Sequence, residues 1–139
     1  MDDTEIRARF AAARVARLAT VDVDGRPHIV PVCFAVEGDS VVSAVDGKPK
    51  TTVALRRLDN VTANSTVSLL ADEYYDDWTR LWWVRADGDA RVVYSGTDHR
   101  AAIASLVGKY PQYRASPPAG AVIVIAVRRW RAWQWETGS

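Results

Sequence analysis

ARLATVDVDGRPHIVPVCF, residues 16–34, carries the change of period on which the fold turns. From Leu18 to Val23 and from His28 to Val36 apolar residues alternate or run together, and Asp24-Gly25 between them is a strong hairpin signal. Two antiparallel strands are predicted. Pro31 has no N–H to donate to a ladder, so the second strand is expected to bulge there or lie at an edge, a good place to admit a ligand.

Upstream, Ile6, Phe10, Ala13 and Leu18 recur at three- to five-residue spacing with arginines between them, which predicts an amphipathic helix over Thr4 to Arg17. Downstream, Glu37-Gly38-Asp39 predicts a turn and Ser40 to Val45 a third strand. Val53, Leu55, Leu58 and Val61 then predict a short helix over Thr51 to Ala63. Thr66 to Ala71, Arg80 to Arg85 and Ala90 to Ser95 read as three strands, the last two separated by a turn at Asp87-Gly88-Asp89. A helix capped by Thr97 or Asp98 should run to about Val107, before Gly108. Ala121 to Val127 reads as a strand buried on both faces and Arg131 to Trp135 as a final paired strand. Six to seven short strands with two to three flanking helices predict a mainly β (α+β) chain, closed or split into an antiparallel barrel, which hides its edges.

At 139 residues, 48% hydrophobic and 25% charged, the chain is expected to form one domain over residues 1–139. Its 18 basic and 17 acidic residues nearly cancel, so neither nucleic acid nor an anionic membrane is an expected partner. The longest apolar run, Ala119 to Val127, is far shorter than the roughly 20 residues of a membrane span. MDDTEIRARF lacks the apolar core of a secretory signal, which leaves the cytoplasm as the expected compartment. Fifteen of the 18 basic residues are arginine, a bias compatible with a GC-rich genome.

Two of the three lysines, Lys48 and Lys50, stand in GKPK at the start of the Thr51 helix. Cations there oppose the helix dipole by about 0.3–1 kcal/mol each and repel one another, penalties that a bound anion removes. First-turn N–H groups, the Thr51 and Thr52 hydroxyls and the two ammonium groups would form a phosphate site. A solvated loop with two chance lysines is the alternative. Arg56 and Arg57 either form a solvated helix face or meet a polyanionic ligand tail.

The six tryptophans fall into two clusters, Trp78, Trp82 and Trp83, then Trp130, Trp133 and Trp135. Core and subunit interface account for most of them; Trp133 and Trp135 share one strand face, placed for a dimer interface or for a planar ring system. Trp78 lies in an acidic turn and is singled out as ligand-facing. No nucleophilic triad is visible, so the catalytic residues stay unassigned. His28 and His99 read as structural or surface residues and supply no metal site. Cys33, the sole cysteine, reads as a small buried hydrophobe and excludes an internal disulfide.

Taken together, ARLATVDVDGRPHIVPVCF, GKPKTTVALRRL and VSLLADEYYDDWTRLWWVRADGDARVV resemble the pyridoxamine-phosphate-oxidase-like split β-barrel superfamily, in particular its actinobacterial branch of coenzyme F420-dependent oxidoreductases. The resemblance covers nearly the whole chain. It implies a homodimer with the cofactor in a groove between subunits, its phosphate held by Lys48, Lys50 and Thr51. It also implies a ring laid against Val30, Pro31, Val32 and Cys33 with Ser43 and Ala44, and Trp78 as an aromatic near the cofactor. Coenzyme F420 is favoured, with FMN as the alternative, because the arginine-rich FMN-phosphate pattern is not clearly reproduced. The implied reaction passes a hydride from reduced deazaflavin to a small, planar, electron-poor organic substrate, the protein binding and orienting while the cofactor carries the chemistry. A non-catalytic F420 carrier or ligand sensor is a reading of a different class, and a pure interaction module is the residual one.

Overall fold

The computed structural model describes residues 1–45 and 52–135. Helix α1 (Asp3–Ala12) opens on Asp2, whose carboxylate accepts from the Glu5 N–H at 2.9 Å. Strands β1 (Ala16–Val21), β2 (Pro27–Val32), β3 (Ala35–Glu37) and β4 (Ser40–Ala44) follow, then helix α2 (Thr52–Ala63) and strand β5 (Thr66–Glu73). A 3₁₀ turn (Trp78–Arg80) leads into β6 (Trp82–Val93). Helices α3 (Thr97–Lys109) and α4 (Pro111–Ala115) precede β7 (Val122–Gln134). No helix among the described residues is long and apolar enough to cross a membrane.

All seven strands lie in one antiparallel sheet of order β2-β1-β5-β6-β7-β4-β3. The predicted Asp24-Gly25 hairpin joins β1 to β2, with Gly25 at φ 82°, and Pro31 sits on an edge strand as expected. The run predicted as one strand from His28 to Val36 is in fact β2 and β3, the opposite edges of the sheet, with only Cys33 and Phe34 between them. Seven flat strands would hold their edges roughly 29 Å apart at about 4.8 Å spacing. Three Cα steps, from Val32 to Ala35, span roughly 11 Å at most. The sheet must therefore curl until its edges meet, which makes a barrel with a seam at Cys33-Phe34.

The alternating faces confirm this closure. Leu18, Val32, Val41, Leu69, Val84, Ile123 and Ile125 point inward and pack with Phe10 of α1 and Val61 of α2. Val42, Ala44, Val122 and Val124 point outward beneath Ala102, Leu106 and Tyr110, so β4 and the first half of β7 are buried on both faces. The expectation for Ala121 to Val127 holds as far as Ile125; Ala126 is exposed and Val127 partly buried.

Several predicted boundaries move. Asp87-Gly88-Asp89 is no turn: it runs inside β6, paired with β5 on one side and β7 on the other, and survives only as a bulge between Asp87 and Gly88. The two flanking ladders outweigh local turn chemistry, and the carboxylates find partners in the sheet, Asp87 on Ser68, Arg85 and Arg129, Asp89 on Arg128. Gly88 is required there, since a Cβ would lie 2.2 Å from the Ala126 carbonyl oxygen. The final two predicted strands are one continuous β7. Helix α1 ends at Ala12, because the chain from Ala16 is already in the sheet, and Gly96 rather than Thr97 or Asp98 caps α3.

At the seam, neighbouring strands do not satisfy every backbone group, and side chains stand in. The Ser43 hydroxyl donates to the Cys33 carbonyl at 2.7 Å. The Tyr110 hydroxyl accepts from the Phe34 N–H at 3.0 Å and lies 3.0 Å from the carbonyl oxygens of both Phe34 and Arg14, to one of which its proton goes. Removing it strands a buried N–H, a loss of about 1–3 kcal/mol. Tyr110→Phe is expected to lower the urea midpoint accordingly with an unchanged slope, whereas a neutral result would mean that the seam holds without the tie.

Candidate functional site

Strand alternation decides what each sequence-predicted residue offers a ligand. Val30 and Val32 turn into the core, Val32 being 5% exposed, while Pro31 and Cys33 turn outward. Cys33 is exposed, against the expectation of a buried hydrophobe, because the chain leaves β2 at this residue and the seam faces no covering strand. Ser43 is buried with its hydroxyl committed to Cys33, and Ala44 lies under α3. The predicted ring wall therefore offers outward side chains at Pro31 and Cys33, with Ser43 holding the wall from inside.

Trp78 is 64% exposed at the head of the 3₁₀ turn, which Asp77 caps by accepting from the Thr79 N–H and hydroxyl at 3.1 and 2.6 Å. Its neighbours Thr79 and Arg80 line a separate cleft of about 400 Å³ with Arg9, Tyr75 and Trp135. Cys33 lines a different cavity, and Trp78 is not among the residues lining it. Lys48, Lys50 and Thr51 lie outside the described residues. Of the two arginines on α2, Arg56 is exposed and Arg57 half-buried, its Nε buried and without a hydrogen-bond partner among the described residues. His28 Nδ1 on β2 is buried and unpaired in the same way. His99, by contrast, is structural, its Nε2 2.8 Å from the Gly120 carbonyl oxygen.

Cys33 opens into a cavity of about 590 Å³ lined by Arg14, Tyr110, Pro111, Gln112 and Tyr113. Tyr110 and Tyr113 meet edge to face at 5.6 Å. The Arg14 guanidinium lies 5.9 Å from the Tyr110 ring and donates to the Lys109 carbonyl at 3.0 Å. Lys109 reaches back, donating to the Ala13 carbonyl at 2.7 Å with its ammonium 3.7 Å from the Phe34 ring centroid. Sequence reasoning missed this group. The only signal was KYPQY itself, where the third lysine and two tyrosines flank a proline at the end of a helix.

Burial, reinforced by the Arg14 charge and opposed by Cys33, pulls the Lys109 ammonium from 10.5 down to about 8. The unfolded chain thus binds more protons than the fold between about pH 8 and 10.5, so this group adds stability as pH rises through that window, and below pH 8 its penalty is present in full. Urea unfolding from pH 7 to 10 should accordingly show a rise above pH 8 that is flattened in Lys109→Met; equal slopes in the two proteins would contradict the assignment.

A family model described as pyridoxamine 5'-phosphate oxidase matches residues 2–134. Among solved structures, the chain is similar to the conserved hypothetical protein Rv2991 of Mycobacterium tuberculosis at 22% identity and TM-score 0.78, covering 96% of this chain and 85% of that one. It is also similar to an FAD-binding protein of Mesorhizobium loti at 20% identity and TM-score 0.71, covering 95% and 94%. An FAD-binding protein of Mycobacterium smegmatis matches at 20% identity and TM-score 0.65, covering 97% and 98%. At these identities the likeness is one of fold. No curated protein matches the chain.

Proposed function

The chain belongs to the pyridoxamine 5'-phosphate oxidase family, and on that premise we propose that it is a flavin-class oxidoreductase whose hydride donor is reduced coenzyme F420 and whose acceptor is a small organic molecule. The observation that carries the cofactor reading is the pair of orphaned nitrogens, His28 Nδ1 and Arg57 Nε. A buried polar atom without a partner is unfavourable by about 1–3 kcal/mol, so two of them argue for a polar occupant. Their places support a common one. Thr20 pairs with His28 across β1 and β2, Asn60 donates to Thr20 at 3.0 Å, and Arg57 stands one turn before Asn60 on α2, nearer its N-terminus.

Arg57, together with Lys48, Lys50 and Thr51 just ahead of α2, would hold the anionic tail, and the outward wall at Pro31 and Cys33 would meet the ring. The bound coenzyme supplies hydride chemistry; the protein's part is to fix the ring against a rigid seam and keep water from it. A polyanionic tail favours F420, and FMN is the second reading, supported by the flavin-binding descriptions of two relatives. Fluorescence and calorimetric titration of the protein with F420 and FMN in parallel tests both. F420 binding is expected, weakened about tenfold by Lys50→Ala or Arg57→Gln through loss of a charge-assisted contact. FMN binding alone would promote the second reading, and binding of neither would remove both.

The working unit is a homodimer built on the outer face of β2, β1, β5 and β6. Ile29 is 64% and Tyr74 67% exposed there, along a groove of about 330 Å³ that also holds Leu70 and Trp83. Arg17, Arg85 and Asp72 sit beside them, so the patch carries both charges and can meet its own copy across a two-fold axis. Sedimentation should give a dimer that Ile29→Glu converts to monomer; a wild-type monomer at micromolar concentration would rule the interface out.

A further inference from the structure

We propose that the seam cavity bounded by Arg14, Cys33, Tyr110 and Tyr113 binds a planar aromatic carboxylate. The volume, about 590 Å³, falls within the range of small-ligand sites. Its walls are tyrosine rings, proline and a thiol, suited to a flat apolar body. The Tyr110 hydroxyl is occupied by Phe34 and Arg14 backbone atoms, so only its ring is offered to a ligand.

Among the described residues, Arg14 is the cationic side chain that lines the cavity. Neither it nor the neighbouring Lys109 forms an ion pair with a carboxylate among the described residues. Four arginines of the sheet differ: Arg17, Arg85, Arg128 and Arg129 each pair with an aspartate. The charged groups acting on Lys109 and Tyr110 are Arg14 and Cys33, with no carboxylate among them. Arg14 uses one N–H on the Lys109 carbonyl and keeps the remainder of its planar fork, which matches a carboxylate in two-point contact. A single guanidinium at the rim of a mostly apolar cavity fits one carboxylate on an aromatic body better than a bare phosphate. That this ligand is the hydride acceptor rests on the cofactor reading proposed above; that it binds does not.

Cys33 is the only cysteine in the chain and lines the cavity, so its alkylation reports occupancy without any cofactor. The full-length protein would be treated with iodoacetamide in the presence of 2-naphthoate or of its neutral analogue naphthalene-2-carboxamide, and labelling followed by mass spectrometry. The acid is expected to slow labelling saturably, at a concentration about tenfold lower than the amide requires, the fold-change of one charge-assisted hydrogen bond. In Arg14→Gln the acid should fall to the level of the amide, and Arg14→Lys, which keeps the charge and loses the fork, should lie between. Unchanged circular dichroism would establish that the variants are folded. Absence of protection, or equal protection by acid and amide, would overturn the proposal. F420 titration of the same preparations keeps the two readings apart, since the coenzyme can bind while the naphthoate does not, and the reverse.

Discussion

Two residues, Cys33 and Phe34, join opposite edges of a seven-stranded sheet, and the rest of the structure depends on that short connection. It forces the sheet to close. It also prevents β2 and β3 from forming a ladder with one another, so the backbone polar groups at the join need partners from elsewhere. Ser43 supplies one from inside the barrel and Tyr110 supplies the others from the end of α3. The same tie fixes the α3–α4 corner against the start of β1, through the Arg14 and Lys109 contacts, and so creates the cavity beside the seam. Closure and candidate site are one feature of the chain.

Charge is distributed in keeping with this division. On the sheet, Arg17, Arg85, Arg128 and Arg129 pair with aspartates, most fully at Asp87: burial pushes its carboxyl up, but hydrogen bonds from Ser68, Arg85 and Arg129 together hold it below the ordinary carboxylate range. Around α2 and the seam, Arg14, Arg57 and Lys109 have no carboxylate partner among the described residues, and two buried nitrogens have no hydrogen-bond partner there. Positive charge accumulated in a half-buried place is unfavourable to the isolated fold. An anionic occupant of the kind proposed above would offset that penalty.

The proposed division of labour follows from the geometry. The α2 side offers donors for an anionic tail, the outward wall of β2 offers a surface for a ring, and the seam cavity offers tyrosine walls and one guanidinium for a second flat molecule. Cys33 borders both the wall and the cavity, which would set a cofactor ring and its acceptor side by side. No acid–base pair is needed for hydride transfer between two oriented planar systems, and the absence of a nucleophilic triad motif in the sequence agrees with that.

The sequence by itself determined the elements whose local signals agree with their surroundings. The Asp24-Gly25 hairpin, the edge position of Pro31 and the doubly buried run from Ala121 to Ile125 are all legible, because turn chemistry, proline's missing donor and apolar period act over a few residues. Three motifs read together also carried the family. What lay beyond it was anything fixed by partners distant in the chain. Asp87-Gly88-Asp89 has the residues of a turn and becomes strand because ladders on both sides hold it extended. Cys33 sits in an apolar run and is exposed because the chain changes edges there. Arg14, Lys109 and Tyr110 give no local sign of acting together, since 96 residues separate Arg14 from Tyr110 and only closure of the barrel brings them into contact. A site made at a seam is visible only once the edges have met.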